Sequence, residues 1–130
     1  MPQQIVHLDT GAVVAARIRQ CDTPATRVRG LLGTRHLDDD EACWIAPCNA
    51  IHTFFMMMSI DVAFLDEDLR VLKLIPDMTP FRLCLPVRCA TSVLEGPVGM
   101  IQRAGLKKGS RLAWVEVAGT DVTSLCTASP

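Results

Sequence analysis

At 130 residues the chain is long enough to bury a real core and short enough to be one domain. Hydrophobic residues make up 49% and charged residues 21%, a globular balance that excludes a disordered chain. Thirteen basic against fourteen acidic residues give a formal net charge of −1, which lacks the electrostatic footprint of a general nucleic-acid binder.

The N-terminus, MPQQIVHLDTG, has no basic start followed by a long apolar stretch, so no export signal is expected and a cytoplasmic location is. Residues 4–8 and 12–19 are two β-prone runs around Asp9-Thr10-Gly11, a turn sequence that suits a hairpin. Alternation along them predicts a core face of Val6, Leu8, Val14, Ala16 and Ile18, with Arg17 and Arg19 turned away. Thr23 before Pro24 reads as a helix start, a capping hydroxyl followed by a proline at the first helical position. Val28, Leu31 and Leu32 then share one side of a short helix ending near Gly33, with Arg27 and Arg35 on its exposed side. The acidic run 38–41 reads as a solvated loop.

Ala42 to Ile60 has the length of a membrane span, but Pro47, Asn49, His52 and Ser59 interrupt it and Asp61 follows at once. A β core is the expectation, with no membrane span. Residues 50–65 are too many for one strand, so the run is expected to break near Ser59 into strands 50–57 and 61–66. Asp66-Glu67-Asp68 turns the chain into a strand over 71–75. Three prolines make 76–89 an irregular loop before a strand over 90–95. Pro97 opens a second short helix that Gly105 closes, and a last strand covers 111–117. The expected architecture is mainly β (α+β): a compact antiparallel β barrel or sandwich with two short helices. One domain is expected over 1–118, with a polar tail over 119–130.

Cys21, Cys43, Cys48, Cys84, Cys89 and Cys126 are expected to be free thiols, since no export signal marks an oxidising compartment. Two pairs share a Cys-x4-Cys spacing, which lies at the loose edge of zinc patterns, so neither a metal nor a cofactor is expected. Met56, Met57 and Met58 near His52 are soft ligands of the kind Cu(I) favours, yet strand alternation separates Met57 from the other two.

The chemistry-bearing residues sit inside short apolar motifs. These are Arg29-Gly30-Leu31-Leu32-Gly33 with Arg35 and Leu37; Cys48 followed by Ile51-His52-Thr53 and Met56; Ile60-Asp61-Val62 with Phe64-Leu65-Asp66; and Val93-Leu94-Glu95 with Gly99. In order and spacing they resemble the DUF192 family, also called UPF0127, a group of uncharacterised bacterial and archaeal proteins, over roughly residues 15–117. The resemblance implies a compact β-rich domain, and family members often carry an export signal or membrane anchor. Three positions depart from the family pattern: Met57 stands where a basic or polar residue is common, Ser59 where a proline is common, and Gly109-Ser110 where Gly-Asp is usual.

Four residues form the candidate ligand-binding set: His52, Asp61, Arg29 and Glu95. Each is ionisable in an apolar setting, where an unpaired charge is costly and a small pocket would explain it. The expected ligand is small and polar. Structural readings compete at every position: a core histidine, an aspartate fixing a bend, and a buried Arg29–Glu95 pair. Two other classes stay open. One is a hydrolase-like enzyme with His52 as base and Asp61 orienting it. The other is an interaction module without catalysis. Catalytic residues, ligand identity and oligomeric state are not readable from the sequence.

Overall fold

Residues 3–117 are described in the computed structural model, and they build around a five-stranded sheet whose inner strands include two that are buried on both faces. The first strand, β1 (Gln3–His7), pairs antiparallel with β2 (Val13–Ala15) through the expected turn at Asp9–Gly11. The last strand, β10 (Leu112–Glu116), pairs with the other edge of β1 to complete a three-stranded sheet. The buried face of β1 is the opposite of the expected one. Ile5 and His7 point inward while Leu8 is exposed, because register sets Ile5 against Trp114 and Ala15.

The second β-prone run does not stay in that sheet. Past Ala16 it becomes β3 (Arg17–Cys21), which pairs in parallel with β4 (Glu41–Ile45). The central sheet is therefore mixed. Its order is β3-β4-β9-β6-β7, with β6 (Ile60–Leu65), β7 (Val71–Met78) and β9 (Ser92–Gly96) antiparallel to their neighbours. No closed barrel forms among the described residues; a separate two-stranded ribbon joins β5 (Ile51–His52) to β8 (Leu83–Cys84). β7 runs through Pro76, which an edge strand tolerates because its missing N–H costs no ladder bond.

Between β3 and β4 the chain makes α1 (Pro24–Arg29). Thr23 and Thr26 form the reciprocal cap that the sequence signals, with Pro24 at the start of the helix. The helix stops at Gly30 rather than near Gly33, and Val28 is 77% exposed instead of facing the core. A six-residue helix has too few turns to carry an apolar stripe; Leu31 and Leu37 beyond it do the burying. The acidic run is a solvated edge closed by Arg17, whose guanidinium donates to Asp40 at 2.9 and 2.7 Å and to Asp38 at 2.8 Å. The second helix, α2 (Met100–Ala104), starts at Gly99 and ends at Gly105.

Two apolar layers flank the central sheet. Ala42, Ala63, Leu65 and Leu94 pack against Ile5, Val14, Leu112 and α2 on one side. Cys43, Ile45, Val62, Phe64 and Val93 pack against Leu31, Ile51, Met56 and Cys84 on the other. Because side chains alternate along a strand, each sheet residue has its face assigned by parity. No helix among the described residues is long and apolar enough to cross a membrane. The expected polar tail and Cys126 lie outside the described residues.

Candidate functional site

Glu95 is the penultimate residue of β9 and shares a face with Val93, on the layer that holds Leu31 and Met56. Register sets it beside Cys43 of β4 and Val62 of β6. Its side chain is 5% exposed, and no hydrogen bond or ion pair reaches its carboxyl group among the described residues. Burial pushes the Glu95 carboxyl up to about 7. Directly over it stands Gly30, the C-cap of α1, with φ 46°. A Cβ there would meet Ile45 Cδ1 at 3.6 Å and Glu95 Oε1 at 3.9 Å, in a backbone region that side chains avoid. The glycine of the Arg-Gly-Leu-Leu-Gly motif thus brings backbone close above the acid while ending the helix.

The acid lies in the lining of a depression of about 160 Å³, together with Arg27, Arg29, Gly30, Cys48 and His52. Three of the four residues expected to form the site therefore come together. Arg29 is exposed, and no ion pair joins it to Glu95, so the expected buried pair is not formed. Arg27, expected on the exposed side of α1, is half-buried and donates from Nη1 to the Pro47 carbonyl at 3.0 Å. Its Nε is buried without an acceptor. Spacing hid this role: Arg27 and Arg29 are two residues apart, but a helix this short lets both reach the same opening.

His52 ends β5 at the rim and is exposed. Its Nδ1 accepts the Phe54 N–H at 3.3 Å, so the neutral ring carries its proton on Nε2. The ring stacks on Phe54 with centroids 5.2 Å apart and planes 25° from parallel. The expected strand over 50–57 is only two residues long, because Thr53 redirects the chain. Buried Thr53 donates its hydroxyl to Thr79 O at 2.6 Å and accepts from Arg82 N at 2.8 Å, while its carbonyl accepts from Phe81 N at 2.9 Å. It thereby joins the 53–59 loop to the turn before β8. Phe55 and Phe81 flank this junction with φ of 64° each, and their rings are 76% and 65% exposed. A bulky side chain in that region is strained and persists only where its surroundings enforce it.

Asp61 is elsewhere. It alternates with Val62 and so points to the opposite face of the central sheet from Glu95. It is 2% exposed, and its carboxylate accepts three backbone N–H bonds: Asp77 at 2.9 Å, Gly99 at 3.1 Å and Ile101 at 2.9 Å. No hydrogen bond or ion pair joins it to His52 among the described residues. The His52–Asp61 dyad is corrected to two unconnected groups, and Asp61 takes the structural role of tying β6 to β7 and to the start of α2.

The thiols add little reactivity. Burial pushes both the Cys43 and Cys48 thiols up, away from the nucleophilic thiolate form. Cys48 donates to Ala50 O at 3.1 Å, and Cys21 and Cys43 lie Sγ to Sγ at 3.0 Å as a buried thiol pair. The five described cysteines are free, and no group of three or more His, Cys, Asp or Glu side chains converges as a metal cage among the described residues.

Comparison with known proteins places this geometry. The DUF192 family, described as Uncharacterized ACR, matches residues 5–114. The chain belongs to the DUF192 family. Among family relatives, a UPF0127 protein of Thermococcus sibiricus is 32% identical over 115 residues, covering 85% of this chain and 73% of that protein. Another, from Thermococcus kodakarensis, is 29% identical over 115 residues, covering 85% of this chain and 72% of the relative. A crystal structure of a protein of unknown function from Novosphingobium aromaticivorans superposes with a TM-score of 0.74 at 22% identity, covering 88% of this chain and 84% of that one. A second, from Sinorhizobium meliloti 1021 and described as a candidate transcription regulator, gives 0.72 at 18% identity over 86% and 91%. At these identities the two structures establish a shared fold and nothing about activity.

Proposed function

We propose that this DUF192 protein is a cytoplasmic, single-domain binding or accessory module for a small polar ligand, held in the depression beneath α1. The observation that carries this reading is Glu95, a buried carboxyl group without a partner among the described residues, in the lining of an opening shared with Arg29 and His52. Burial disfavours the charged form of this carboxyl group, and no bond from the described residues offsets that. Its presence is understandable if a ligand supplies the missing bonds. The volume, about 160 Å³, suits a molecule of a few heavy atoms.

The test is thermal denaturation against a panel of small polar metabolites, with wild type beside His52→Ala and Arg29→Ala. Both side chains are exposed, so each variant keeps its stability to within about 0.5 kcal/mol. At least one compound raises the wild-type midpoint, and both variants weaken that effect about tenfold in concentration. A panel without a single shift, or shifts that both variants retain in full, overturns the reading.

One observation favours an interaction role as the second reading. Phe54, Phe55, Phe81, Leu83 and Leu85 are exposed, and the Phe81 ring packs against Phe54 and Phe55, tilted at 6.5 Å and T-shaped at 6.0 Å between centroids. A contiguous apolar patch of this kind marks contact surfaces. Size-exclusion chromatography across a concentration series checks it: self-association through the patch gives a larger species, and Phe55→Ser with Phe81→Ser restores the monomer.

A further inference from the structure

The depression presents donors and almost no acceptors. The Arg29 guanidinium has no hydrogen-bond or ion-pair partner among the described residues. Arg27 keeps its Nε–H without an acceptor. The Nε2–H of His52 is left free by the bond at Nδ1. The fourth group is Glu95, nine-tenths buried at the sheet side of the opening and without a partner among the described residues. In its protonated form it too donates a hydrogen bond.

We propose that the ligand of this site is a small oxyanion-bearing molecule, a carboxylate, phosphate or sulfate, held between the Arg27, Arg29 and His52 donors and the Glu95 side chain. The inference rests on the pocket-binding reading and narrows its ligand class. Guanidinium forks match two oxygens of such groups. A carboxylic acid meeting a carboxylate or sulfate oxygen forms a short, charge-assisted bond, whereas an ionised Glu95 would repel it.

The other ionisable groups packed around Glu95 are consistent with this arrangement. Cys43 faces it from β4, and Cys48 from the segment before β5, both as protonated thiols. Arg27 and Arg29 approach from α1 and His52 from β5, while β6 contributes the apolar Val62. With the acid's midpoint at about 7, an oxyanion that binds above neutrality takes up one proton with it. The balance is simple: ligand anion, one proton and the Glu95 carboxylate combine into a complex of a neutral acid and the anion. An amine ligand has the opposite sign and releases that proton.

Calorimetric titration with sulfate, acetate, succinate and, as a contrary probe, ethanolamine separates these cases. The charges of all four are nearly constant between about pH 7 and pH 8. At least one anion binds wild type, its affinity falls about tenfold per pH unit above neutrality, and proton uptake approaches one at pH 8. Glu95→Gln keeps a donor at that place, so it still binds the anion but without the pH dependence. Arg29→Met, at an exposed position, weakens anion binding about tenfold or more. Affinity that rises with pH, loss of binding in Glu95→Gln with the fold intact by circular dichroism, or ethanolamine as the tight probe each overturns the oxyanion inference. If none of the four binds while a neutral metabolite shifts the melting curve, the inference fails and the pocket reading stands. If nothing binds in either experiment, both fail.

Discussion

Asp61→Ala is expected to destabilise the protein by about 3–5 kcal/mol, a large effect for a single polar substitution. The carboxylate accepts from Asp77, Gly99 and Ile101 at 2.9–3.1 Å, and all of these bonds are backbone N–H to charged oxygen. Bonds to a charged acceptor are worth roughly 1.5–3 kcal/mol each before additivity fails. Gly99, the N-cap of α2, supplies no side-chain cap of its own. Asp61 performs that task from β6, and its negative charge sits favourably against the helix start. Alanine strands three donors in a buried place. Asparagine retains one carbonyl acceptor and should lose about half as much. Urea denaturation reads both: the midpoint falls in the order wild type, Asp61→Asn, Asp61→Ala with an unchanged slope. An Asp61→Ala loss below about 1 kcal/mol would contradict the role of Asp61 as a hub between β6, β7 and α2.

Glu95→Gln is expected to act in the other direction, increasingly as pH rises above about 4.5. Burial raises the folded-state midpoint of Glu95 to about 7, against 4.5 for an ordinary glutamic acid. Between those values the folded chain binds a proton that the unfolded chain has lost. The favourable contribution is therefore whole below about pH 4.5 and declines as pH rises, until it is lost above about pH 7. A shift of this size corresponds to about 3 kcal/mol. Glutamine never ionises, so the variant matches wild type near pH 4.5 and exceeds it by about 3 kcal/mol at pH 8, or roughly 10 °C in midpoint. Asp38 and Asp40, which Arg17 holds below the usual carboxylate range, titrate beneath that window and weaken both proteins alike in acid. The difference between variant and wild type isolates Glu95. Equal stability at pH 8 would mean that an unseen partner already compensates the acid, and would remove the observation on which the pocket reading stands.

Local signals in the sequence suffice where short-range chemistry decides the outcome. Thr23-Pro24 starts α1, the Asp66–Asp68 turn leads into β7, and Gly105 closes α2, each through residues within a few positions of one another. The motif residues Arg29, His52 and Glu95 meet because each lies beside apolar neighbours that must be buried on the same side of the central sheet. Long-range partners decide the rest. The face of β1 follows from its register with β10, more than a hundred residues away, and no alternation rule fixes it. Parallel pairing of β3 with β4 takes Arg17 onward out of the first hairpin. The apolar run after Ala50 looks strand-like along its length, yet the bonds of Thr53 to Thr79 and Arg82 end the strand at His52. Closeness in sequence groups Asp61 with His52, whereas the parity of β6 sends it to the far side.

The roof over Glu95 is a crossover whose two ends are fastened in adjacent parallel strands, β3 and β4. The cavity wall nearest the N-terminus is thus complete early in synthesis, while the acid that gives it chemical character arrives dozens of residues later on β9. A ribosome-bound chain halted before that strand would expose the roof's inner surface with nothing beneath it. The depression is therefore complete only once the ninth strand slots between β4 and β6.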